Sequence, residues 1–186
     1  FLHQSLFDYT YARLFVESKR SLTDLLKDNH QGLFLRARVR SILLYQREDS
    51  SVYLRTLNDL LFGTTETGEP LVRFHLKMLA LNTIGLCENV TEEEKNYFKD
   101  HVLTDKVYGP IFLDSIYSRD WFNIITKDID IEAMLGRQNQ YIIEKMMDIC
   151  WRIFSMDEEL VDNYLDKLAS WGLPEINNAV FKFVNR

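Results

Sequence analysis

Leu33-Phe34-Leu35-Arg36-Ala37-Arg38-Val39-Arg40-Ser41-Ile42-Leu43-Leu44-Tyr45-Gln46-Arg47 is the stretch that decides the fold. At 100° per residue its apolar side chains occupy most of the helical circumference. A helix apolar nearly all round predicts an inner helix of a layered helical array. The cations do not scatter: Arg36, Arg40 and Arg47 fall on one narrow stripe, and Arg38 lies well away from it. Gly32 separates this helix from the one before.

The neighbouring segments read the same way. A first helix is expected over about 4–17, with Lys19 and Arg20 near its C-terminal end, where cations suit the helix dipole. Ser21 with Asp24 three residues on opens a short second helix that ends near Asn29. A fourth covers about 51–62. The run Gly63-Thr64-Thr65-Glu66-Thr67-Gly68-Glu69-Pro70 holds no apolar residue and reads as a hairpin loop, with Pro70 in the first turn of a helix over about 71–87. Thr91-Glu92-Glu93-Glu94 is a capping box.

Gly109-Pro110 starts a short helix, and Ser118-Arg119-Asp120 starts another. The piece from Asp128 to Gly136 reads as irregular. A strongly amphipathic helix follows over about 139–154, then one led by Asp157-Glu158-Glu159, and a last one from Pro174. The expected fold is all-α: an irregular α-α superhelix of HEAT- or ARM-like hairpins, in a single helical-repeat-like domain over 1–186. No strict repeat period is present.

Composition supports this. Seven Gly and three Pro in 186 residues are too few for an all-β chain rich in tight turns. The net charge of −6 argues against a general nucleic-acid binder. Cys87 and Cys150 sit in apolar surroundings and read as buried thiols, which points to a reducing, cytoplasmic setting. No apolar run reaches the ~20 residues that span a bilayer, so no membrane is expected as a partner.

The opening stretch carries a resemblance. Phe1, His3, Ser5, Asp8, Tyr9 and Ala12 fit a Phe-x-His-x-Ser-x-x-(Asp/Glu)-(Tyr/Phe)-x-x-Ala pattern. This resembles the seam that closes the nucleotide-binding module of STAND NTPases, the NACHT-type and related bacterial members in particular. The run 31–40 is similar to the first helical hairpin after that seam. The resemblance implies a C-terminal helical region with an ATPase upstream of Phe1. ATP and Mg would belong to that upstream domain. No cofactor is expected here, because the chain holds no Gly-x-x-x-x-Gly-Lys-Ser/Thr loop. It implies a helical array that restrains the ATPase or recognises a trigger, in many bacterial members for antiphage defence, with oligomerisation of the full-length chain.

No enzyme is expected of these residues themselves. His3, His30, His75 and His101 share no metal-ligand spacing with one another or with the cysteines. The acids Asp128/Asp130 and Asp157/Glu158/Glu159 sit at helix starts, where the dipole favours them. Candidate partner-binding residues are Arg36, Arg40 and Arg47, for an acidic or phosphate-bearing partner. A simpler use of the same stripe is pairing with Asp24 and Asp28 on the preceding helix. The expected function is therefore a non-catalytic interaction or sensor module, whose partner is another protein or its own upstream NTPase. The alternative is a nucleic-acid-binding helical-repeat protein that sets the arginine stripe on phosphates.

Overall fold

The computed structural model describes residues 2–28, 31–32, 35–131, 140–172 and 174–184. The chain is all-α. Eleven α-helices lie among the described residues: α1 Leu2–Glu17, α2 Leu22–Asp28, α3 Arg36–Gln46, α4 Ser50–Phe62, α5 Phe74–Ile84, α6 Glu92–Tyr97, α7 Tyr108–Ser115, α8 Arg119–Asn123, α9 Gln140–Phe154, α10 Glu158–Ala169 and α11 Pro174–Val184. Two five-residue π-helical turns, Phe98–Val102 and Ile124–Asp128, extend α6 and α8. The only β geometry among the described residues is an isolated bridge between Thr64 and Pro70. No helix among them is long and apolar enough to cross a membrane.

The helices form two compact units, Phe1–Thr83 and Ile84–Arg186. In the first, α1 packs on α3, α3 on α4, and α2 on α4. Asp49 caps α4, its carboxylate accepting from the N–H groups of Ser51 and Val52. Ser21 accepts from the Asp24 N–H at 3.4 Å, as a helix-opening serine should. Gln31 ties two connections together: its amide donates to the Leu71 carbonyl at 2.9 Å and accepts from the Arg73 N–H at 2.7 Å. Lys77 is buried and donates to the Leu61 carbonyl at 2.6 Å, in the last turn of α4, where a cation meets the negative helix end.

Two expectations are corrected here. Pro70 does not open a helix; it pairs with Thr64 across the loop, and α5 begins only at Phe74. Helix α3 is not an inner helix. Leu35, Val39, Ile42, Leu43 and Gln46 are buried on one side, while Arg36, Ala37, Arg38, Arg40 and Leu44 are exposed on the other. The start at Leu33 lies outside the described residues, as does most of the piece expected to be irregular, at 132–136.

The second unit is built round α9, which packs on α7, α8, α10 and α11. Its seven buried residues recur at helical spacing on one face. Phe98, Phe112 and Trp121 meet with ring centroids 4.3 to 4.9 Å apart, all fully buried. The capping box is present in both arms: Thr91 accepts from the Glu94 N–H at 3.2 Å, and Glu94 accepts from the Thr91 N–H at 3.3 Å. Ser118 and Asp157 cap α8 and α10 in the same manner. Cys87 and Cys150 are both buried.

Candidate functional site

The two features that stood out in the sequence meet in the first unit. An open groove of about 540 Å³ runs between α1 and α3, lined by Asp8 and Tyr9 from one helix and Arg40, Ser41 and Leu44 from the other. Ala37, Tyr45 and Glu48 complete it. Tyr9 and Tyr45 form its aromatic wall, edge to face, with centroids 5.7 Å apart. The Tyr45 hydroxyl is pushed above the ordinary phenol range, first by burial and then by the neighbouring Tyr9 and Glu48. Arg13 stands beside this wall and is bound to Glu17 at 2.8 Å, which raises the guanidinium pKa further.

The arginine stripe divides. Arg36 and Arg40 are exposed, one helical turn apart, and neither has an ion-pair partner among the described residues. The expected pairing with α2 is not seen there: Asp24 is held instead by Lys27 at 3.4 Å. Arg47 stands past the end of α3 at its C-cap and is half-buried. Between Arg40 and Arg47 the stripe is filled by Leu43, which is 1% exposed. Arg38 lies over the ring of Tyr11 at 4.9 Å, so its cation is engaged with α1.

Of the other candidates, Phe1 lies outside the described residues, and so do the side chains of His3 and Ser5. Asp8, Tyr9 and the buried Ala12 are therefore the part of the opening motif whose side chains are described. His30 also lies outside. Among the described residues no group of three His, Cys, Asp or Glu side chains could hold a metal ion.

Sequence reasoning missed the apolar part of this face. Tyr9 on α1 is 54% exposed and Leu44 on α3 is 39% exposed, and both line the groove; Leu6, Phe7 and Leu14 are exposed on α1 as well but do not line it. The signal was available in α3. At 100° per residue, Ala37 and Leu44 fall within roughly 60° of Arg40. It was absent in α1, where apolar and aromatic side chains point in every direction and mark no buried face.

Charge is also uneven. The unit Phe1–Thr83 carries 11 Lys and Arg against 9 Asp and Glu, a balance of +2, and the unit Ile84–Arg186 carries 11 against 19, a balance of −8. No family model matches the chain, and neither a curated protein nor a solved structure shows significant similarity to it.

Proposed function

We propose that this chain is a non-catalytic helical interaction module that recognises a protein partner through the α1/α3 face. One observation carries the reading: the groove sets exposed Leu44 and Tyr9 beside Arg40, with Arg36 exposed one helical turn away, and neither guanidinium has a carboxylate partner among the described residues. Isolated exposed leucines are ordinary, but a cluster rimmed by polar groups marks a binding surface. Arginine in such a place offers planar, bidentate contact to carboxylates.

The resemblance at the opening stretch gives the module a setting. We read it as the cytoplasmic sensor or restraint region of a bacterial STAND NTPase, built from irregular HEAT-like hairpins, with ATP and Mg held upstream. Asp8 and Tyr9 then belong to the seam, and the trigger docks where seam and array meet. The phosphate-binding alternative uses the same Arg36 and Arg40, but two of the aromatic rings of α1 are already engaged. Tyr11 is covered by Arg38, and Tyr9 is set against Tyr45.

A photo-reactive residue at Leu44, expressed in the source cells, tests the reading. It should give discrete protein adducts that disappear in the Arg36→Glu plus Arg40→Glu background, while the same residue at exposed Asn58 gives none. Absence of adducts at Leu44, or adducts equal at both positions, overturns it. A peptide map of the native polypeptide tests the setting, which requires a phosphate-loop peptide upstream of Phe1.

A further inference from the structure

We propose that the α1/α3 groove receives a second copy of this chain, which enters it with the acidic ridge of its α10. The proposal rests on the reading of this face as a recognition surface and names the partner.

The charge asymmetry between the units is the starting point: a balance of +2 in one and −8 in the other. Much of the acidic excess lies on one strip of α10. Val161, Tyr164, Leu165 and Leu168 turn into the second unit, and Glu158, Glu159, Asp162 and Asp166 face solvent. Other carboxylates of this unit are engaged: Asp114 with Lys145, Asp128 with Lys95, Asp130 with Lys167 and Asp157 with Arg119. None of the four ridge carboxylates has an ion-pair partner among the described residues, and neither do Arg36 and Arg40.

Spacing matches as well as sign. Glu158, Asp162 and Asp166 recur every four residues, about 6 Å along the axis. Arg36 and Arg40 have the same interval on α3. Two neighbouring ridge carboxylates can therefore meet both guanidiniums at once, and the ridge can shift by one turn without losing the match. An apolar anchor stands at its head. Met156 is 47% exposed immediately before α10, and a flexible thioether suits an irregular groove such as that between Tyr9 and Leu44. Asp8 and Glu48 at the edge of the groove disfavour an acidic strand laid along its full length, so the ridge is expected on the α3 side.

The contact is heterologous: the patch on one copy differs from the patch it meets. The copy whose groove is filled still presents a vacant ridge, and its partner a vacant groove, so growth continues past the dimer unless the rotation closes a ring. Exposed ion pairs are individually weak and screened by salt, so the association is a fast, salt-sensitive one.

Sedimentation velocity of the full chain over a range of concentrations is the test. At low ionic strength the weight-average mass should climb from 22.1 kDa to twice that value and beyond. In about 0.5 M salt it should return to that of the single chain. Arg36→Glu with Arg40→Glu should abolish the rise, as should Asp162→Lys with Asp166→Lys. An equal mixture of the two variants should restore it, an outcome that misfolded variants could not give. A mass of 22.1 kDa under every condition, or a rise indifferent to both salt and charge reversal, overturns the proposal. If the mass never rises while Leu44 still yields adducts with other proteins, the second copy is wrong and the recognition reading stands. If neither is seen, both fall.

Discussion

The indole N–H of Trp121 donates to the backbone carbonyl of Ile84 at 2.8 Å, across 37 residues of sequence. The same carbonyl accepts from the Cys87 N–H at 2.9 Å, so both its lone pairs are used where the chain leaves α5. Trp121 is fully buried against Phe98 and Phe112. Trp121→Phe keeps most of the ring packing and loses the donor, which should cost about 0.5–1.5 kcal/mol. Trp121→Ala removes the packing too and should cost about 3–5 kcal/mol. Urea denaturation of the two variants checks the ratio; a Trp121→Phe chain as stable as the parent would show that the indole N–H contributes nothing.

Gly85 follows Ile84 and permits that approach. Its carbonyl accepts from the Tyr117 N–H at 3.0 Å, and a Cβ here would lie 2.2 Å from the Ser115 carbonyl oxygen. Backbone on the opposing side cannot swing aside as a side chain could. Gly85→Ala should therefore destabilise by about 1–3 kcal/mol or more. Gly68 is the contrast: it has φ +84° and open space around it. Gly68→Ala meets only backbone strain, about 1–2 kcal/mol. Thermal melts of both should place Gly85→Ala lower, and the reverse order would mean that the connection after α5 readily moves.

The helix starts in the second unit were legible because their chemistry is local. Thr91 with Glu94, Ser118, and Asp157 each satisfy the N–H group three residues ahead, and no distant partner is needed. Long-range choices were not legible. Nothing near Lys77 says that its ammonium will end against α4, and nothing near Pro70 says that Thr64 will pair with it. The side of α3 that turns inward depends on where α1 and α4 lie. Apolar count alone therefore mistook a half-exposed helix for an inner one. The groove was half legible: its arginine came from the stripe and Asp8 and Tyr9 from the opening motif, but their meeting is a tertiary fact.

Thr91→Ala removes the side-chain acceptor of the capping box, and Glu94 is itself 2% exposed. The loss should be about 1 kcal/mol, toward the upper part of the range for such caps because the box is partly buried. Thr91→Ser should retain nearly all of it. A Ser variant as unstable as the Ala variant would mean that the Thr methyl contributes by packing and the hydroxyl does not cap.

Asp49 gives the acid limb of stability. Its carboxylate accepts from the Ser51 hydroxyl at 2.8 Å and from two backbone N–H groups that open α4. These bonds favour the ionised form, the Ser51 hydroxyl most, and hold the carboxyl below its usual range. A depressed folded-state pKa means that the unfolded chain binds the proton more readily. The contribution is then fully present above the ordinary Asp value of about 3.9 and disappears as pH falls through the lower folded value. Asp49→Asn keeps a capping oxygen without a titrating group. It should match the parent chain closely near neutral pH yet show a shallower loss of stability between about pH 4 and more acid solution. Urea midpoints across that range decide it: parallel pH profiles for the two chains would mean that acid unfolding is set by carboxylates elsewhere.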